Sequence, residues 1–303
     1  MRTDETDATD ETDAADETDA ADQWADELLP PGVQALSREP LTGGMAHTAW
    51  RVALSDGREA VVKGGRSVSD GFFGQEAESL SALRDIGGLP TPQILHVGPK
   101  SLVLEALKSE LPDTPQFWEA AGRAIAALHG HGSDRHGWHH DGMLGLLPQQ
   151  NNWNEDGHRF FAEHRILRYL HEPKVEATFE PEDLRGLERL CERLPSLLPA
   201  APAALVHGDL WRANIIATFD DAPVFIDPAV YYGWPEIDVS MMYCTGGVPE
   251  EFFAAYYEVR PSVGDWRERM ALLNLREWLC VIAHFGASDK AVTGIRDVIK
   301  RFS

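Results

Sequence analysis

The chain predicts an α+β fold with two lobes, a small β-rich N-terminal lobe and a larger, mainly helical C-terminal one. Three observations lead there. Short alternating apolar runs and turn signals dominate from Arg51 to Leu107. Apolar residues recur at helical spacing from Thr114 onward. A single β-rich stretch, Ala203 to Pro228, interrupts that helical part and sets polar residues at the ends of short strands.

The opening MRTDETDATDETDAADETDAAD repeats a DETDA unit, with ten acids and one Arg before Gln23. It has almost no apolar residues to offset the entropy of ordering, so residues 1–23 are expected to be a disordered acidic tail. Trp24 to Leu36 reads as a short amphipathic lead-in. Pro40 to Trp50 is a loop holding Gly43 and Gly44. RVALSDGREAVVKG then gives two alternating runs around Asp56-Gly57, a hairpin signal. Phe72 to Leu83 has helical spacing, and LPTPQILHVGPKSLVLEAL gives a Pro-marked loop and two strands. The N-terminal lobe is therefore placed at 24–107 and the C-terminal lobe at 108–303. In the latter, PQFWEAAGRAIAALHGH, Arg159 to Leu170, Asp183 to Leu198, Pro249 to Val259 and Trp266 to Phe285 read as helices.

Composition narrows the function. A chain of 303 residues with 43% hydrophobic content can bury one or two substantial cores. No apolar run is long enough to span a bilayer, and the N-terminus lacks a signal-peptide pattern. Three widely spaced cysteines without a CxxC fit a reducing cytoplasm. The net charge of -22 and the scarcity of Lys argue against nucleic-acid binding, which needs a basic footprint. His129, His131, His136, His139 and His140 invite a zinc reading, but no HExxH and no Cys partner accompanies them.

The most informative segment is LVHGDLWRANIIATFDDAPVFIDP, Leu205 to Pro228. It places His207-Gly-Asp209, then Asn214 five residues after the Asp, then Asp227 eighteen residues after it. That is the spacing of a kinase catalytic loop and the metal-binding Asp beyond it. Asp209 can orient and deprotonate an attacking hydroxyl. Asn214 and Asp227 can hold Mg²⁺ against the phosphates of ATP. IIAT and PVFI around DDAP form a second hairpin signal. Upstream, Lys63 ends AVVKG as a phosphate-binding Lys ends its strand, and Glu76 or Glu78 on the next helix can pair with it, Glu76 by preference. Leu102 to Leu107 reads as the strand entering a hinge, where the backbone of Glu105, Ala106 and Leu107 would meet adenine. Gly208 in place of the Arg of H-R-D, and Asp227-Pro-Ala in place of D-F-G, argue against a phosphorylation-switched activation loop.

On these residues the chain resembles the fructosamine/ketosamine 3-kinases, which share the aminoglycoside-phosphotransferase and protein-kinase-like fold. The resemblance runs from about Leu41 to Phe285. HGDLWRAN, FIDPAVYYGWPEIDVSMM and GLLPQQNNWNEDGHRFFAEHRI carry it. It implies ATP-dependent phosphorylation of the sugar 3-hydroxyl of ketosamines, free or on protein lysines, after which the sugar is shed. It implies Asp209 as general base, Asn214 and Asp227 as Mg²⁺ ligands, and Lys63 with Glu76 as the phosphate-holding pair. Gly43, Gly44 and Glu105 to Leu107 would serve ATP. Trp211 would form a platform for the sugar, and His284, Asn152 and Trp153 would shape the acceptor side. Ribulosamine or erythrulosamine is expected over fructosamine. Met45 stands near where some relatives carry a redox-active Cys, so no redox-linked dimer is expected, nor an obligate protein partner. The alternatives are another small-molecule kinase, acting on an aminoglycoside or choline, and a nucleotide-binding pseudokinase module.

The acidic balance also suits a halophile's cytoplasm, because at ~1 M salt the Debye length is ~3 Å and self-repulsion is screened. The melting temperature is therefore expected to rise from low to molar KCl. A flat dependence would reject salt adaptation.

Overall fold

A computed structural model describes residues 24, 26–41, 47–66, 68–108 and 110–303. The acidic tail, Gly43, Gly44 and Met45 lie outside the described residues. The chain forms two compact units. One comprises the described residues up to Glu78 with Pro92–Leu107; the other comprises Ser79–Thr91 with Lys108–Ser303.

The first unit is built on a five-stranded antiparallel sheet of β1 (Ala35–Leu41), β2 (Ala49–Leu54), β3 (Glu59–Gly64), β4 (Ile94–Val97) and β5 (Ser101–Glu105), in the order β1-β2-β3-β5-β4. Alternation along β2 and β3 puts Trp50, Val52, Leu54, Ala60 and Val62 on one buried face. Trp24, Leu28 and Leu29, around a single 3-10 turn at Asp26–Leu28, pack into the same cluster. Trp24 meets Trp50 edge to face at 5.2 Å. Odd-numbered residues of β3 therefore point the other way, and Lys63 is among them. Between β3 and β4 lies α1 (Phe72–Asp85), whose residues to Glu78 belong to this unit.

The second unit is mainly helical. Its core gathers α2 (Pro115–Leu128), α5 (Pro181–Leu197), α7 (Glu250–Val259), α8 (Arg267–Leu273), α9 (Leu275–Phe285) and α10 (Asp289–Phe302). Three further helices belong to it: α3 (Gly157–Phe161), α4 (Pro173–Thr178) and α6 (Glu236–Thr245). Small strands lie between them: β6 (Gly132–Ser133), the hairpin β7 (Gly142–Leu144) and β8 (Leu147–Gln149), β9 (Ala203–Val206), the hairpin β10 (Ile215–Ala217) and β11 (Pro223–Phe225), and β12 (Tyr231–Gly233). Two expected helices are broken. Arg159 to Leu170 runs as α3, then a π-helical turn at Ala162–Ile166, then a 3-10 turn, with the guanidinium of Arg165 buried within it. Trp266 to Phe285 is divided into α8 and α9 at the buried Asn274. No described helix is long and apolar enough to cross a membrane.

Helix α2 starts at Thr114, whose hydroxyl accepts from the Phe117 amide, and Pro115 supplies the preset first turn. Its buried face packs along α7, and the approach is close at Gly122. A Cβ there would lie 2.3 Å from the Phe252 carbonyl oxygen. Gly122→Ala is expected to cost about 1–3 kcal/mol through forced separation of the two helices. An unchanged urea midpoint would show that they can part freely.

Candidate active site

The segment from His207 to Val230 is closed at both ends by one strand pair. β9 delivers His207 and pairs antiparallel with β12, Val206 opposite Tyr231. Within the segment β10 and β11 form the expected hairpin, with Ile215 opposite Phe225. That pairing brings Asn214 beside Ile226, whose amide donates to the Asn214 carbonyl at 3.0 Å. Residues twelve positions apart in the chain are thus held side by side.

The turn itself is organised by Asp238, from the first turns of α6. Its carboxylate accepts from the His207 amide at 2.7 Å and from the Gly208 amide at 2.9 Å. His129, at the end of α2, also donates to it through Nε2 at 3.1 Å, while His129 Nδ1 bonds the Tyr256 hydroxyl at 2.8 Å. Burial alone would raise the Asp238 carboxyl. The His129 bond, the two nearby imidazoles and the Gly208 amide outweigh it, leaving the group below the ordinary Asp range. Two successive amides can converge on one carboxylate only because Gly208 takes φ +81°. A Cβ there would lie 2.0 Å from the Ala229 carbonyl oxygen. Buried His207 is pushed toward its neutral form by desolvation. Its Nε2 donates to the Ile226 carbonyl at 3.0 Å, and its Nδ1 accepts from the Asp209 amide.

Asp209, Asn214 and Asp227 are brought together. Asn214 Nδ2 donates to the Asp209 carbonyl at 2.7 Å and to its Oδ2 at 3.1 Å. The Asn214 amide oxygen is left as its acceptor. The half-buried Asp209 carboxyl is raised above the ordinary range, by burial first and then by the charge of Glu277, with Asp227 adding to it and Arg276 opposing. Asp227 has φ +56°, a conformation that costs a non-glycine residue of order 1–3 kcal/mol. Its neighbours are pinned. Ile226 is held by Asn214 and His207, and the Ala229 amide donates to the His207 carbonyl at 2.9 Å.

These residues fit Mg²⁺. The local excess of carboxylate is the environment a divalent cation relieves. One carboxylate and one amide oxygen, completed by phosphates and water, is a usual magnesium set. Among the described residues no three His, Cys, Asp or Glu side chains form a closed metal cage, which accords with so open a set.

Beneath the turn lies a polar network that sequence reasoning did not single out. Gln149, at the end of β8, donates Nε2 to the Ala229 carbonyl at 3.0 Å and accepts from Arg276 Nη2 at 2.9 Å. Arg276 contacts Glu277, and both are buried in α9. Arg165 donates to the Gln150 carbonyl and to Asn151 Oδ1, and its guanidinium lies 3.9 Å from the Tyr231 ring centroid. The family-like PQQNNW string thus divides. Gln149 and Asn151 face inward to arginines, while Asn152 is exposed. Trp153 is half-buried, stacked on Tyr232 and covered by Arg135 at 4.8 Å. Trp211 is half-buried just before Asn214, and its carbonyl accepts the Asn214 amide. His284 has both ring nitrogens engaged. Nδ1 donates to the Cys280 carbonyl at 2.8 Å, and Nε2 accepts from the Leu146 amide at 3.0 Å.

In the first unit Lys63 Nζ meets Glu76 Oε1 at 2.7 Å, both half-buried. Glu78, two residues on and so on the other side of the helix, is exposed. His47, absent from the sequence reading, packs edge-on against Phe72 and Phe73. Burial and the nearby Lys63 charge lower its pKa. In the expected hinge, the Glu105 amide donates to the Gln93 carbonyl and the Ala106 amide to the Glu59 carbonyl, while the Leu107 carbonyl accepts from Arg51.

Asp238→Asn would turn a side-chain donor toward one of the two amides and is expected to destabilise the chain by about 3–5 kcal/mol, read from denaturant midpoints. A depressed carboxyl contributes stability that is complete above the unfolded Asp value of ~3.9 and is lost as pH falls through the folded value. The gap between wild type and variant should therefore narrow below about pH 4. A gap independent of pH would remove the carboxylate charge from this role.

Comparison with known proteins agrees with this geometry. The fructosamine kinase family profile matches residues 18–301. A candidate ketoamine kinase of Thermus thermophilus is 35% identical over 225 residues, 73% of this chain and 78% of that protein. The chloroplastic protein-ribulosamine 3-kinase of Oryza sativa subsp. indica is 30% identical over 260 residues, 82% of this chain and 74% of that protein. A crystal structure of a candidate fructosamine-3-kinase from Thermobifida fusca superposes with a TM-score of 0.78 at 32% identity, covering 88% of this chain and 95% of that one. An aminoglycoside phosphotransferase in ternary complex with AMP-PNP and hygromycin B shares the fold, with a TM-score of 0.61 at 15% identity over 88% and 95% of the two chains. With its HGD turn, its Asn214 and its Asp227 strung between β9 and β12, the chain belongs to the fructosamine kinase family.

Proposed function

We propose that this chain is a ketosamine 3-kinase that uses Mg²⁺ and ATP. The observation that carries the reading is the convergence of Asp209, Asn214 and Asp227 on one turn, in a chain of this family. The acceptor is the sugar 3-hydroxyl of a ketosamine. Its oxygen forms a bond to the γ-phosphorus as the bond to ADP breaks, and Asp209 takes the hydroxyl proton. The raised Asp209 carboxyl accords with a base that holds a proton more firmly than an ordinary Asp. Asn214 and Asp227 would hold Mg²⁺, which neutralises charge on the transferring phosphates.

Lys63, fixed by Glu76, would bind phosphate. Adenine would read those backbone groups of Glu105, Ala106 and Leu107 that the sheet leaves open. Gly43 and Gly44 would cover the phosphates. Trp211 would offer an aromatic face to the sugar, with Asn152 and Trp153 on the acceptor side. His284, with both nitrogens engaged, would contribute by holding Leu146 and by its ring face. The ribulosamine 3-kinase relative favours a ribulosamine or erythrulosamine over fructosamine, free or protein-bound. Three free cysteines favour the reducing cytoplasm. The acidic composition disfavours nucleic acid as a partner.

The test is ADP release in molar KCl with Mg²⁺ and ATP, offering ribulose-lysine, fructose-lysine, kanamycin and choline. Release with a ketose-lysine alone is expected, and Asp209→Asn should fold normally and lose about 10²–10⁴-fold in turnover. Release only with kanamycin or choline would transfer the chain to another small-molecule kinase activity. Nucleotide binding without turnover would make it a pseudokinase.

A further inference from the structure

We propose that Gln149 is a positioning residue for the metal-binding turn, clamping Ala229 so that Asp227 stays in its left-handed conformation. The inference rests on the kinase reading of Asp227 and extends it to a residue outside the catalytic segment.

A strained residue persists only where its surroundings over-determine it. Four bonds pin the residues flanking Asp227. Three of them, from the Ile226 amide to Asn214, from His207 to the Ile226 carbonyl and from the Ala229 amide to His207, have both partners inside residues 207–229. They fix the turn within itself, while His207 and Phe225 are held from outside it by the Asp238 carboxylate and the Pro90 carbonyl. The fourth, from Gln149 Nε2 to the Ala229 carbonyl at 3.0 Å, comes from β8 and is the side-chain bond that holds the chain just beyond Asp227.

The direction of this clamp is set from behind. A guanidinium only donates, so Arg276 requires the oxygen of the Gln149 amide and receives it at 2.9 Å. The amide nitrogen is thereby turned to Ala229. Glu277 holds Arg276 on its other side. From Glu277 through Arg276 and Gln149 to Ala229, each link sets a donor against an acceptor, while the buried Arg276 Nε stands outside the relay without a hydrogen-bond partner. A flipped amide would set donor against donor at Arg276 and acceptor against acceptor at Ala229. All the side chains of this relay are buried, so water does not readily repair such a mismatch.

This explains why the position calls for an amide. A glutamate would keep Arg276 satisfied but would set a carboxylate oxygen against the Ala229 carbonyl. Gln149→Glu therefore removes the clamp and spares the buried arginine, while Gln149→Leu removes both contacts.

The experiment measures Mn²⁺ binding to the full chain by electron paramagnetic resonance with saturating AMP-PNP, alongside melting temperature and the Mg²⁺ dependence of turnover. Partners that orient a ligating side chain typically contribute 10–100-fold in metal affinity. Gln149→Glu is expected to melt near the wild type and bind Mn²⁺ at least about tenfold more weakly. Its KM for Mg²⁺ should rise more than its kcat falls. Unchanged Mn²⁺ affinity in folded Gln149→Glu would overturn the assignment while leaving the kinase reading intact. A Gln149→Glu chain that fails to fold would overturn it too, by showing a role in folding instead of positioning. Wild type that binds no Mn²⁺ with AMP-PNP would overturn the kinase reading, and this inference with it.

Discussion

The carboxylate of Asp238 is the constraint on which the active turn depends. It is a buried anion that draws two successive backbone amides, His207 and Gly208, toward one point. Consecutive amides do not naturally converge; the left-handed Gly208 makes them do so, forming a small anion-binding nest. Once that nest is closed, the direction of the next residue is set, and the next residue is Asp209. The same carboxylate takes His129 from the end of α2, so helix, strand and turn meet on one charge. An ion of this kind is costly to bury unless every lone pair is used, which is why its partners are so many.

From that anchor the polar interior spreads in a definite sense. Arginines 165 and 276 are fully buried, yet each finds carbonyls, amides or a carboxylate within the same unit. Their positive charge stands beneath a turn that carries Asp209 and Asp227. Even so, the Asp209 carboxyl remains raised, since burial and the Glu277 charge outweigh Arg276.

Strain and its restraint are also divided between near and far residues. Asp227 pays for its positive φ locally, but the bonds that keep it there are drawn partly from β8 and, through Gln149, from α9. The first unit follows a simpler rule. Strand alternation buries Trp50 and Val62, and the same alternation turns Lys63 to the opposite face, where Glu76 of α1 meets it at 2.7 Å.

By itself the sequence determined what depends on short chain separations. The β2–β3 and β10–β11 hairpins, the helix α2, and the spacing of His207, Asp209, Asn214 and Asp227 were all legible, because turn chemistry and strand or helix period act over a few residues. Beyond the Lys63–Glu76 pair, the tertiary structure decided the partners. Asp238 lies 30 residues from Gly208, and Arg276 lies 127 from Gln149. A buried arginine has the same letter as a solvated one, and the inward and outward residues of PQQNNW follow each other without any periodic signal. The π-helical turn at Ala162–Ile166 and the break at Asn274 escaped for the same reason. Their backbone yields to long-range packing around Arg165 and Asn274, and propensity along the chain does not register a contact that exists only after folding.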